Sequence, residues 1–295
     1  MKAFAHRTAP SSENNLLMMK AKYLLSMLLC GTMLCGTTAC SKDGVDETAQ
    51  EKPATTSKYV KIGVWNVGHF NTGALGGYQG DDVDEALNRW KLWLTLQHFD
   101  IFGINEWNPT FDKDGKYDAT AELLRPLYKN MYFGRYNLSY QWVYNGVATN
   151  YELDYANAYT INFAHPQYDC IVIDAKIQDK TVTLIIGHIP WQNDPGSYSH
   201  DNSLPILKAE MKKHERFIYM SDMNATKEEQ LSFAAEGYHI ANGANGVWYP
   251  TIVTSTTALD QIITSPNIRI MESSSLLTGL QNGDHRPVMA VIQLL

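Results

Sequence analysis

Val60, Ile62 and Val64 alternate with polar or small residues and lead into Trp65-Asn66. A period of two is the mark of a strand with one face buried. The period then lengthens. Asp81-Asp82 can cap a helix that runs to about His98, with Leu87, Trp90 and Leu94 on one face, as an amphipathic helix requires. Residues 100–106, DIFGINE, form a short apolar run and predict a buried strand ending at Glu106. A second helix is expected from Thr120 to Tyr128. Between Tyr132 and Ala158, Tyr and Asn are frequent and no period emerges. Strand patterns return at Tyr159–Phe163, Cys170–Ile177 and Thr181–Ile189. A helix is expected over Ser203–His214, an apolar strand at Phe217–Met220 and a helix at Lys227–Ala235. Strands at Ala258–Thr264, Ile268–Met271 and Pro287–Leu294 close the chain.

Strands run consecutively in the middle and at the end, with helices between some of them. That favours a mixed or antiparallel sheet system flanked by helices over a purely parallel array. Polar residues recur where the predicted strands end. Asn66 follows VKIGVW, Glu106 follows DIFGIN, His188 follows TLIIG, and Asp222 and Asn224 follow FIYMS. Asp260 follows TAL, and Asp284-His285 precede RPVMAVIQLL. Strand ends on one sheet edge can converge on a single cleft, where loops carry chemistry on a rigid support.

The first 58 residues read differently. Residues 23–35, YLLSMLLCGTMLC, follow Lys20 and Lys22 and are too short to span a bilayer. This is the layout of a secretory signal peptide over residues 1–39, with translation expected to start at Met18 or Met19. Small residues before Cys40 resemble a lipoprotein processing site, with Cys40 the lipidated residue, although Thr37 stands where Leu is usual. The alternative is an ordinary cleaved signal with Cys40 incidental. Residues 40–58 are polar and read as a flexible tether, and Ser41-Lys42-Asp43 resembles signals that send some lipoproteins to the outer surface. The expected location is therefore extracytoplasmic, anchored by lipid to the outer membrane. Residues 59–295 form the expected single catalytic domain.

Composition narrows the classes. Hydrophobic residues make up 44% of the 295 positions and charged residues 19%, which suits a globular domain with a sizeable core. Net charge is −7, and loss of the basic leader makes the remainder more acidic. That argues against tight general binding of nucleic acid by phosphate neutralisation, but not against a nuclease that turns over with a cation's help. Beyond Cys40 only Cys170 remains, in a predicted strand, so no disulfide framework is expected.

Glu106 and Asp284 can supply carboxylates to a hard cation and Asn66 a carbonyl oxygen. Asp222, Asn224, His188 and His285 are the types needed to activate water and stabilise a phosphoryl group. WNVG (65–68), INE (104–106), GHIPW (187–191), SDMN (221–224), LDQIITS (259–265) and GDHRPV (283–288) occur in one order. In that order they resemble the endonuclease/exonuclease/phosphatase superfamily, with its deoxyribonuclease I-like fold, from about Lys61 to the end of the chain. The resemblance implies a four-layer α/β (α+β) sandwich of two mixed, mainly antiparallel sheets flanked by helices. It implies Mg²⁺-assisted hydrolysis, with Mn²⁺ or Ca²⁺ as alternatives. Glu106 would be the main metal ligand, with Asn66 and Asp284 at or near the metal. Asp222 would orient or deprotonate water, Asn224 would donate to the phosphate, Asp260 would orient His285, and His188 would contact the phosphate or assist the leaving group. Which histidine is acid and which is base stays open. Gly68 and Gly283 depart from the family, which often carries polar residues at both positions.

Trp107 and Trp191 flank these motifs and are candidates to stack on substrate. The substrate expected is a phosphoester: nucleic acid first, or a phospholipid or small ester. A non-catalytic surface lipoprotein is the reading from a different class. No pattern points to a protein partner, and a monomer is expected.

Overall fold

Val60, Ile62 and Val64 do share one face, and that face is the middle of the molecule. A computed structural model describes residues 58–71, 76–134, 144–165, 168–191, 200–280 and 283–295. The leader, Cys40 and nearly all of the tether lie outside the described residues. Thr55–Leu295 cluster as one compact unit.

Two six-stranded sheets form the centre. The first contains β1 (Val60–Asn66), β2 (Ile101–Trp107), β3 (Asn130–Phe133), β4 (Tyr144–Thr149), β11 (Ile268–Ser275) and β12 (Val288–Leu294), in the order β11-β12-β1-β2-β4-β3. The second contains β5 (Glu152–His165), β6 (Tyr168–Ile177), β7 (Lys180–His188), β8 (Phe217–Asp222), β9 (His239–Ile240) and β10 (Asp260–Thr264), in the order β5-β6-β7-β8-β10-β9. Each sheet has one parallel pair, β1 with β2 and β7 with β8, and every other pairing is antiparallel. Parallel neighbours need a crossover. Helix α1 (Val83–Gln97) makes the first and α2 (His200–Met211) the second; α3 (Lys227–Ala235) follows β8.

The layers follow from side-chain alternation. Ile62, Val147, Ile173, Leu184, Ile218, Ile262 and Ala290 meet between the sheets. Each Val, Leu or Ile among them contributes about 1.5–3 kcal/mol over an exposed one. On the outer face of the first sheet, Trp65, Phe102 and Trp107 share a buried cluster with Phe111 and with Leu87, Trp90 and Leu94 of α1. On the outer face of the second, Phe217, Tyr219 and Ile185 meet Leu207, Met211 and Phe233 from α2 and α3. The result is the expected sandwich of helix, sheet, sheet and helix.

Some elements differ from the sequence reading. The expected helix at Thr120–Tyr128 is a π-helical turn, Thr120–Leu124, followed by a turn. The region without a period contains the end of β3, all of β4 and the first half of β5. Asn145 and Thr149 of β4 are buried by hydrogen bonding rather than by apolarity, so alternation does not mark them.

Candidate active site

Regular pairing breaks at the end of β2. Its register against β4 shifts between Ile104 and Trp107, and Glu106 adopts φ 53°. A bulge inserts a residue and re-aims a side chain. Here it leaves the Glu106 side chain 23% exposed at the end of an otherwise buried strand. Asn66 ends the neighbouring β1. Its amide nitrogen donates to Glu106 Oε1 (2.9 Å) and Asp222 Oδ2 (3.0 Å), and its carbonyl oxygen accepts from the Gly68 N–H (3.0 Å). Asn66 thus ties together carboxylates from the two sheets, with its carbonyl turned to the backbone.

The second sheet contributes in the same way. His188 ends β7 and Asp222 ends β8, side by side in parallel register. The antiparallel β10 sets Asp260 opposite Asp222. Asp260 Oδ2 lies 2.8 Å from His285 Nδ1, so it holds the ring with Nε2 facing Asp222 Oδ2 at 3.5 Å. His188 Nε2 approaches the same oxygen at 3.4 Å, and its Nδ1 is 3.8 Å from Glu106 Oε1. Asp222 therefore stands at the hub. Neither Asp222 nor Asn224 caps α3, because Thr226 does so in a reciprocal capping box with Glu229. Asn224, at φ 46°, donates its backbone N–H to Asp222 Oδ1 (3.1 Å) and its amide to the Ile189 carbonyl (2.9 Å), 3.3 Å from His188 Nε2.

Charge is arranged as closely as geometry. Burial works against an ionised Glu106. The His69 ring beside it and a hydrogen bond from Asn66, with His188 and His285 nearby, more than offset it and hold the carboxyl at about 2. Burial also works against a charged His285, yet the Asp260 and Asp222 carboxylates raise it well above the ordinary histidine range. Burial and Asp222 push Asp260 up to about 6, against the pull of His285. At neutral pH the pair is carboxylate and imidazolium. Asp222, Asp260 and His285 offer ligand atoms within 4.8 Å of one another, a buried set that can hold a metal ion.

Glu106, His188, Asp222, Asn224 and His285 open onto a cavity of about 470 Å³ walled by Tyr168, Trp191, Ile252 and Leu259. Trp191 is 46% exposed there. Asp284 also lines it, its carboxylate largely exposed and 3.8 Å from His285 Nε2. Trp107 is a correction: it is 1% exposed, stacks with Phe133 and donates to Thr120 Oγ1, so it presents no face to a ligand. Its position in β2 turns it under α1, away from the cleft.

Sequence reasoning missed three contributors. His69 Nδ1 lies 3.3 Å from Glu106 Oε2; its place three residues after Asn66 was the available signal. Tyr168 packs edge-on against the His188 ring at 4.7 Å. Asn105 is wholly buried; its amide donates to Asn145 Oδ1 and the Gly187 carbonyl, and its Oδ1 accepts from the Asp222 N–H. It pins the ends of the two sheets together, which no local pattern announces.

No family model matches the chain, and no curated protein matches it. Solved structures do. An endonuclease/exonuclease/phosphatase from Bacteroides vulgatus superposes with a TM-score of 0.60 at 14% identity, covering 80% of this chain and 99% of that one. The human Nocturnin catalytic domain with bound sulfate gives 0.59 at 15%, covering 81% and 95%. D. rerio TDP2 complexed with a single-strand DNA product gives 0.59 at 11%, covering 80% and 99%. The chain has the endonuclease/exonuclease/phosphatase fold.

Proposed function

We propose that this chain is a divalent-cation-dependent phosphoester hydrolase that cleaves phosphodiesters. The observation that carries the reading is the hub at Asp222, with one carboxylate within 3.5 Å of two histidines and held by Asn66. Asp222 would orient the attacking water and take its proton. His285, kept protonated by Asp260, offers Nε2–H to a phosphoryl oxygen. Asn224 offers its second amide hydrogen, and His188 stands beside both.

The donor chemistry fits a hard cation. Glu106 is a carboxylate at any working pH, and Asp284 adds a second oxygen donor on the open side. Asp260 and His285 already bond each other, so Glu106 with Asp284 is the better place for Mg²⁺, Mn²⁺ or Ca²⁺. Bound there, the ion would supply charge to the phosphoryl oxygens.

Nucleic acid is the first substrate reading, supported by the single-strand DNA product held by a protein of the same fold. A phospholipid or small diester is the second. Trp191, Ile252 and Leu259 wall the cavity, and no Lys or Arg lines it among the described residues. The leader layout and Cys40 support export and a lipid anchor.

The test is hydrolysis of plasmid DNA, RNA, a chromogenic diester, a phosphomonoester and sphingomyelin, with and without EDTA. EDTA-sensitive cleavage of DNA or RNA supports the nuclease, and cleavage of the lipid or small diester alone supports the second reading. Cleavage untouched by EDTA, or none on any substrate, counts against the proposal. Radiolabelled palmitate incorporation that Cys40→Ala abolishes checks the anchor.

A further inference from the structure

Gly68, His69 and Phe70 adopt φ 54°, 43° and 66°, so the chain runs left-handed for three successive residues. Positive φ costs a side-chain-bearing residue roughly 1–3 kcal/mol and persists only where surroundings over-determine it. They do here. Asn66 Oδ1 accepts from the Gly68 N–H, the Phe70 N–H donates to the Val67 carbonyl, and the Gly77 N–H donates to the His69 carbonyl at 2.8 Å. The Phe70 ring is locked 5.0 Å from the centres of Trp90, Trp107 and Phe111.

The turn is also pressed against the segment that carries Asp284 and His285. A Cβ at Gly68 would lie 2.6 Å from Gly283 Cα, and one at Gly283 would lie 2.9 Å from Gly68 Cα. The two departures from the superfamily pattern are thus a single backbone contact, open only to a glycine pair. Gly68 can offer nothing to the cleft, and the next residue does so instead.

His69 reaches Glu106 Oε2 at 3.3 Å, the oxygen that Asn66 does not bond, with side chains 18% and 23% exposed. Two ligands at adjacent corners of an octahedron with bonds of about 2.1 Å lie about 3 Å apart, so one ion can be shared by this nitrogen and this oxygen without moving either element. We infer that His69 joins Glu106 as a ligand of the divalent cation, and that its nitrogen turns the site's preference from Mg²⁺ toward ions that accept imidazole, such as Mn²⁺. This rests on the metal-dependent reading above.

The test loads Mn²⁺ into the protein and into His69→Asn, His69→Ala and Glu106→Gln. It reads directly bound ¹⁴N by pulsed EPR and Mn²⁺ and Mg²⁺ affinity by titration. Asn tolerates left-handed backbone, so His69→Asn keeps the turn, and its melting temperature checks this. The expected result is a ¹⁴N signal that His69→Asn loses, with Mn²⁺ affinity down about tenfold or more and Mg²⁺ affinity changed less. Glu106→Gln weakens both ions. A ¹⁴N signal undiminished in His69→Asn, with Mn²⁺ binding still dependent on Glu106, overturns the inference and leaves the hydrolase reading standing. No binding of either ion by the wild-type protein overturns both.

Discussion

The two sheets repeat one plan and end it differently. Across each, the pairings run antiparallel, antiparallel, parallel, antiparallel, antiparallel, and a helix bridges each parallel pair. In the first, the ends are strained and partly open: β2 breaks register before Glu106, and His69 and Glu106 sit at positive φ. In the second, β7 and β8 stay in register to the last residue, and His188 and Asp222 are buried. The same topological place is also filled in two ways. Asp260, at the start of β10, bonds the imidazolium of His285. Asn145, near the start of β4, bonds Asp169 and Asn105. One sheet end is strained and partly open to solvent, and the other is buried and held by hydrogen bonds. A repeated scaffold therefore sets where groups meet, and the terminal residues set what they do.

The largest expected break in this contrast is Asp222→Asn, which keeps the hub's shape but removes its negative charge. A loss of about 10³ in kcat is expected, with the melting temperature little changed; kcat at saturating metal checks it. A fall below tenfold would remove Asp222 from the role of base.

Next is Asn105→Ala, which unpins the sheet ends. It leaves the Gly187 carbonyl and Asp222 N–H without this partner in a buried site, at a cost of about 2–3 kcal/mol. Denaturant unfolding measures that directly, and an unchanged midpoint would deny Asn105 its bridging role.

Asp260→Asn sharpens the contrast between Asp260 with His285 and Asn145 with Asp169. Asp260 is charged above about 6, so activity that needs it rises with pH through that value and is lost below it. The variant should lose about 10- to 100-fold in kcat and, with it, the acid limb near pH 6. A limb that survives belongs to another group.

Trp191→Ala is the smallest. An exposed ring that stacks on substrate is worth about 1 kcal/mol, so KM should rise several-fold while kcat holds. An unchanged KM would make Trp191 a bystander.

Much of this was legible from residue order. The alternation at Val60, Ile62 and Val64, the helical face of Leu87, Trp90 and Leu94, and the apolar runs before Glu106, His188 and Asp222 all became the elements they suggested. The order of the short motifs marked Asp222, Asp260 and His285, which the fold brings together. The Thr120–Tyr128 helix misled because helical spacing does not distinguish an α-helix from one π turn and its flanking turn. Trp107 misled because adjacency to Glu106 is not adjacency in space: successive strand residues face opposite ways.

By itself, then, the sequence determined the periods that make strands and helices, and the chemical types waiting at the strand ends, since both are local properties of the chain. Only the tertiary structure decided which of them share a cleft. Asp260 lies 25 residues from His285, and Asn105 lies 117 from Asp222. The charge on the His285 ring, the low carboxyl of Glu106 and the reach of His69 all arise from neighbours distant along the chain, which in the first two cases outweigh the opposing effect of burial. Electrostatic energy depends on separation and surrounding medium, and neither exists until the sheets have closed on each other.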